Sequence, residues 1–268
     1  MKKRKTLKWV VGEIKKRSKN LIMALGLVRY ALRPFFYLLN TRAKCNVQLF
    51  RCLFEESTSL IGKAKGQLSQ DVFALIETRF KRNGYFVDFG ATNGVNPNNS
   101  YLLEKNYGWK GILAEPARCW HKALQENRKD AHIEFKCVWK ESGAFVEFNE
   151  AEHPTLSTIN EYTDSDVHSR NRNTGNNIYK VETISLNDLL AKYDAPSHID
   201  FLSIDTEGSE LDILQTVDYE KYTFSVIACE HNRSEIREKI YDLLTSKGYV
   251  RKYEEASGCD DWYVWGGR

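Results

Sequence analysis

Tyr85-Phe-Val-Asp88-Phe-Gly90-Ala-Thr-Asn-Gly94 reads as a short apolar strand that gives way to an acid and a glycine-bearing turn. Glycine allows a tight turn and a close ligand approach, both of which a Cβ would hinder. The spacing is not the dinucleotide fingerprint, which needs G-x-G-x-x-G, and a phosphate loop would need G-K-[ST]. Working outward, Gly111–Glu115, Ile133–Val138, Asp200–Asp205 and Phe224–Glu230 are further apolar runs of strand length. Helix-like stretches lie between them, near Ser100–Tyr107, Arg118–Arg128, Leu186–Tyr193 and Ser209–Thr216. This alternation predicts an α/β fold with a parallel sheet covered on both faces. After a helix over Ser234–Gly248, Tyr249–Glu254 and Asp261–Trp265 are separated by only six residues. That is too short for a helical crossover, so these two strands are predicted to pair antiparallel. Upstream, Leu68–Lys81 reads as a helix capped near Ser69.

In an open α/β sheet, ligands sit at the carboxyl ends of the strands. The second strand ends in Glu115-Pro116, 27 residues after Asp88, where a carboxylate can accept both hydroxyls of a ribose. A loop without basic residues followed by such an acid suits a nucleoside without phosphates, and S-adenosylmethionine is one. The third strand's end, with Val138 between Cys137 and Trp139, is predicted to wall the adenine pocket above Pro116, although Trp139 fits the core equally well. The fourth strand ends in Asp205-Thr-Glu207-Gly-Ser-Glu210 and the fifth in Cys229-Glu230-His231-Asn232. Asp205, Glu207, Glu230 and His231 are therefore expected around one cleft. Buried carboxylates are costly alone, so several together imply a cation, a shared proton or a positively charged substrate. Glu210 is assigned to the first turn of the next helix, where acids are favourable.

FVDFGATNGVNPNNSYLLEKNYGWKGILAEP, VETISLNDLL and IDFLSIDTEGSELDIL closely resemble the FkbM family of S-adenosylmethionine-dependent methyltransferases, over about Tyr85 to Trp265. The resemblance implies the class I (Rossmann-like) methyltransferase fold, a seven-stranded, mostly parallel sheet with an antiparallel C-terminal hairpin. It also implies methyl transfer to oxygen, commonly on a sugar, glycan or sugar-bearing metabolite. The cofactor site then comprises Asp88, Gly90, Ala91, Thr92, Asn93, Gly94, Glu115, Pro116, Val138 and Asp205. Thr92 stands where many class I enzymes carry a third glycine, and Thr92-Asn93 where family members often have Asn-Asp. Asn93 can still hydrogen-bond the amino-acid end of the cofactor. For deprotonating the acceptor hydroxyl, two devices stay open: His231 as general base, or Mg²⁺ held by Asp205 and Glu230, with Asn232 as a further ligand. Asp205 and Glu207 complete the expected catalytic set.

The formal charge of +3 divides unevenly along the chain. Residues 1–44 hold 13 basic residues and one acid, Glu13, which leaves the rest acidic by about nine charges. Leu7, Val10, Val11, Ile14, Leu21, Ile22, Leu25, Val28 and Leu32 follow helical spacing, so residues 1–44 read as a basic amphipathic helical arm, followed by a connector over 45–66 and the methyltransferase domain over 67–268. Such an arm suits either peripheral contact with anionic lipid or packing on the body or another subunit. No uncharged run of about 18 apolar residues is present, and the six scattered cysteines lack a C-x-x-C pair, so a cytoplasmic, reduced protein is expected. With 42% hydrophobic residues the chain can build a real core, which argues against global disorder. The acidic body argues against nucleic acid as a partner. Two alternatives to the enzyme remain, a membrane-associated scaffold that has lost chemistry and an RNA methyltransferase.

Overall fold

A strand buried on both faces needs apolar residues on both, and only crossover helices can supply such cover for parallel neighbours. The chain meets this condition from Tyr85 onward. The computed structural model of the protein describes Leu60 and residues 62–267, apart from Gly175. The basic arm and most of the connector lie outside the described residues. From Lys63 onward the chain forms one compact unit.

Its first half contains α1 (Gln70–Glu77), β1 (Tyr85–Phe89), α2 (Tyr101–Tyr107), β2 (Lys110–Ala114), α3 (Arg118–Asn127) and β3 (His132–Glu134). There follow β4 (Cys137–Trp139), β5 (Phe145–Glu150), β6 (Thr158–Ile159), α4 (Ser169–Arg172) and β7 (Asn177–Ser185). The second half runs α5 (Leu186–Lys192), β8 (His198–Ile204), α6 (Glu210–Gln215), β9 (Thr223–Glu230) and α7 (Ile236–Ser246). It closes with β10 (Tyr249–Lys252), α8 (Glu254–Ser257) and β11 (Asp260–Trp265).

The main sheet has seven strands in the order β3-β2-β1-β8-β9-β11-β10. Its first five are parallel, and β11 runs antiparallel to both β9 and β10. The predicted α/β class I arrangement and the antiparallel terminal pair are both present. Val87, Ile112, Leu202 and Ile227 of the sheet pack with Leu189 of α5, Ile213 of α6 and Leu244 of α7 in one core. Behind the C-terminal strands, Phe73 of α1 stacks on Trp262 with ring centroids 4.8 Å apart.

Two local expectations need correction. The helix predicted over 68–81 spans only Gln70–Glu77, and Ser69 stands at φ 70° without capping through its side chain. Asp71 instead gathers the N–H groups of Lys65 and Gly66, at 2.7 and 3.2 Å. The run 133–138 is two strands. Glu134 accepts the N–H groups of Phe135 and Lys136, turning the chain so that β3 stays on β2 while β4 joins β7. The polar stretch 160–177 contains a 3₁₀ turn at Asn160–Tyr162 and α4. These lie beside a second sheet, ordered β4-β7-β5-β6.

Candidate active site

Strand order reverses between β1 and β8, and in a sheet of this kind the crevice opens there, beyond the carboxyl ends. Gly90 lies in that crevice at φ +74°, and a Cβ on it would stand 2.1 Å from the carbonyl oxygen of Asp205. Only glycine lets the ends of β1 and β8 approach so closely. Gly94, at φ +77°, faces the side chains of Arg128 and Leu124, 2.6 and 2.7 Å from where a Cβ would stand.

Arg128 shapes the loop from behind. Fully buried, it donates to the Gly94 carbonyl (3.1 Å), Asn98 Oδ1 (2.7 Å), Ser100 Oγ (3.1 Å) and Glu104 Oε2 (2.8 Å). Asn98 and Ser100 in turn donate to Asp88. Asp88 thus organises the turn from beneath. Asn93 does so at the surface, its Oδ1 accepting the N–H groups of Val95 and Asn96.

A cleft with about 1090 Å³ of space out to its mouth lies above this loop. Of the predicted cofactor residues, Gly90, Thr92, Glu115, Pro116, Val138 and Asp205 line it. Asp88, Ala91, Asn93 and Gly94 do not, and support the loop instead. Glu115 accepts the N–H groups of Thr92 and Ala117, each at 2.8 Å. Burial pushes its pKa up to about 7, against the pull of those two N–H groups. A carboxylate offers about four acceptor positions, so capacity remains for ligand hydroxyls. Trp139 is turned from the cleft and donates to the Tyr162 hydroxyl at 3.1 Å.

At the far end stand Asp205, Glu207 and Glu230, each with an oxygen within 4.8 Å of the others. Burial, reinforced by the charge of Glu207, holds Asp205 well above the usual carboxylate range. Burial and the charge of Asp205 do the same to Glu230. Glu207 is raised to about 7 by burial, with the Arg172 guanidinium opposing. An all-oxygen set of this kind is what a hard divalent cation takes.

Arg172 and the segment it fastens carried no signal in the sequence. Arg172, fully buried, pairs with Glu207 and with Asp166 (2.8 Å), and its Nε donates to the Leu156 carbonyl at 2.8 Å. Asn232 donates to Glu207 at 2.9 Å and to Asp166 at 3.2 Å. Through these bonds the segment 154–172 covers the cleft, and Pro154, Leu156, Ile159 and His168 line it. His231 is the clearest departure. Its Nδ1 accepts the N–H of Arg233 (2.9 Å), its Nε2 faces Asp261 at 3.8 Å, and it lines a neighbouring cavity rather than the cleft. Glu230 lines both the cleft and that cavity, whereas His231 lines the cavity alone. Glu210 serves the first turn of α6, accepting the N–H groups of Thr206 and Gly208, as expected.

The sequence profile of the methyltransferase FkbM domain matches residues 88–251, more than half of the chain. The chain belongs to this family. The FkbM match begins at the acid of the glycine turn and ends in β10, and so includes the second sheet. It makes the protein a methyltransferase of the S-adenosylmethionine-dependent class. No curated protein matches the chain significantly. Among solved structures, the ribosomal protein L11 methylase of Lactobacillus delbrueckii subsp. bulgaricus is 10% identical, covering 73% of this chain and 75% of that one, with a TM-score of 0.40. A TehB-like S-adenosylmethionine-dependent methyltransferase of Corynebacterium glutamicum is 8% identical, over 80% and 95% of the two chains, with a TM-score of 0.37.

The cleft of this FkbM domain fits the cofactor its family implies. No lysine or arginine lines it among the described residues, while Glu115, Asp205, Glu207 and Glu230 do. A ligand with a sulfonium and an ammonium but no phosphate matches that field. Glu115 would take the ribose hydroxyls, Pro116 and Val138 the adenine, and Gly90 with Asp205 the methionine end. Among the described residues no helix is long and apolar enough to cross a membrane.

Proposed function

We propose that this FkbM-family protein methylates a hydroxyl oxygen of a sugar, glycan or sugar-bearing metabolite, with Asp205 as the proton acceptor. The observation that carries the reading is the convergence of the Asp205, Glu207 and Glu230 oxygens at the ends of β8 and β9. The sugar class comes from the family resemblance. When bound, S-adenosylmethionine supplies a methyl group already activated on sulfur. The chain's part is orientation, which can account for much of the acceleration, and removal of one proton. Transfer to an acceptor oxygen would leave the electron pair of the S–C bond on sulfur, so the protein has one hydroxyl proton to remove. The hydroxyl proton passes to Asp205. Glu230, with a carboxyl oxygen within 4.8 Å of that of Asp205, orients it, and Glu207, fastened by Arg172 and Asn232, holds the covering segment. His231 has no place in this scheme.

The Asp205→Asn protein should still bind S-adenosylmethionine in calorimetric titration yet lose transfer of labelled methyl to extract acceptors by roughly 10²–10⁴-fold, the usual worth of a general base. Transfer at the wild-type rate would remove Asp205 from the mechanism. A second reading has Asp205 and Glu230 hold Mg²⁺, which would lower the hydroxyl's pKa. Chelation followed by Mg²⁺ addition separates the two, and activity untouched by chelation ends the metal reading. For the arm over residues 1–44, peripheral contact with anionic lipid is supported by its charge and apolar spacing. Co-sedimentation with anionic vesicles, with and without those residues, tests it.

A further inference from the structure

We infer that the acceptor is a cationic hydroxyl compound, an amino alcohol or amino sugar, whose protonated amine is held by Glu230 beside Asp205. The inference rests on the methyl transfer to oxygen proposed above and narrows its substrate class.

The charges around the far end of the cleft are unevenly satisfied. Glu207 has the fully buried Arg172 and the Asn232 amide. Asn232 spends its N–H groups on Glu207 and Asp166 and so has none for Glu230. Glu230 is only 8% exposed, and its Oε2 finds no hydrogen-bond donor among the described residues. A buried acceptor left unmade is costly, and more so when it belongs to a charged group. A neutral hydroxyl would supply the hydrogen bond but leave the charge. An ammonium supplies both, with three donors for Glu230 and Asp205. A phosphorylated or carboxylated acceptor would add like charge to a cleft that no lysine or arginine lines among the described residues. The same contact sets which atom is methylated. An amine kept protonated by two carboxylates has no lone pair to offer, so the methyl group goes to the neighbouring hydroxyl.

The rival occupant of Glu230 is the ammonium of the cofactor itself, and the test must tell them apart. Full-length protein with labelled S-adenosylmethionine is given glucosamine, N-acetylglucosamine and glucose 6-phosphate at equal concentrations, while cofactor affinity is measured separately by calorimetry. Glucosamine should be methylated, on oxygen by mass-spectrometric fragmentation, about tenfold or more faster than either of the others, as loss of a charged hydrogen bond implies. In Glu230→Gln that preference should fall to about twofold or less, with cofactor affinity also changed by about twofold or less. Equal rates with glucosamine and N-acetylglucosamine, label on nitrogen, or no transfer to any of the three while the cofactor binds would each overturn the inference. So would a Glu230→Gln protein whose cofactor affinity drops about tenfold, which would give Glu230 to the cofactor. The acceptor series on the unaltered protein stands even if the variant does not fold. Failure of the unaltered protein to bind S-adenosylmethionine is a separate result, read from calorimetry alone, and would remove the underlying reading together with this one.

Discussion

Glu115 does two jobs with one carboxylate. It ties Thr92, at φ +50°, and Ala117 into place through their N–H groups, and it presents what remains of its acceptor capacity to the cleft. Glu115→Gln keeps the shape but removes the charge, and should weaken S-adenosylmethionine binding by about 1–3 kcal/mol in calorimetric titration. Burial raises this carboxyl to about 7. If the ionised form receives the ribose, wild-type affinity falls as pH drops through that value, and the variant shows no such fall. A pH dependence shared by both proteins would place its source elsewhere. Gly90 makes a sterner demand. A methyl group there collides with backbone, the Asp205 carbonyl, and must also accept a positive φ. Gly90→Ala should therefore cost roughly 3 kcal/mol or more in urea unfolding, and an undisturbed midpoint would mean that β1 and β8 can part without loss.

Arg172 holds the segment 154–172 to the site, beside Thr158, which donates to the Glu207 carbonyl, and Asn232, which donates to Asp166. Removing Arg172 strands Asp166 and Glu207, both nearly buried, so Arg172→Met should destabilise the protein by about 3–5 kcal/mol, as for breaking a buried ion pair from one side. The loss should shrink when Glu207→Gln is made as well, because the stranded charge is then gone. Additive losses in that cycle would show that Arg172 acts through its packing alone. Here the limits of reading a sequence become physical. The four strand ends were legible because a doubly buried parallel strand is a continuous apolar run, and an acid or glycine that ends it stands out. β5 and β7 were not, since each has one exposed face, with Phe145 and Ile178 in the open, and their alternation with charged residues resembles loop. Arg172 lies in a polar tract that reads as solvated, and its carboxylate partners are 6 and 35 residues away. No local pattern encodes that pairing. His231 differs for the opposite reason, because adjacency in sequence to Glu230 suggests the same cleft, whereas His231 lines only the neighbouring cavity.

At the scale of the whole molecule, a subset of the carboxyls is gathered where water does not reach. Burial raises Asp71 and Asp260 to about 6, and Glu115 and Glu207 to about 7, against hydrogen bonds and, for Glu207, a guanidinium that pull the other way. Unfolded carboxyls titrate near 4. Between those values the folded state binds protons that the unfolded chain has released, so the stability from these groups is full below about pH 4 and is lost as pH rises through 6 to 7. His121 and His231, both lowered by burial, act in the opposite sense, since the unfolded chain takes up their protons first as pH falls. Two histidines oppose four carboxyls, and Asp205 and Glu230, also raised by burial, side with the carboxyls. The cofactor-free protein should therefore melt several degrees higher at pH 6 than at pH 8, given about 2–4 °C per kcal/mol for a chain of this size. Scanning calorimetry across that range is the measurement, and the slope should be shallower in Glu115→Gln. A midpoint that is flat or rises toward pH 8 would mean that these carboxyls are hydrated in solution, and that the clustered charge of the cleft is stabilised by water rather than kept for a ligand.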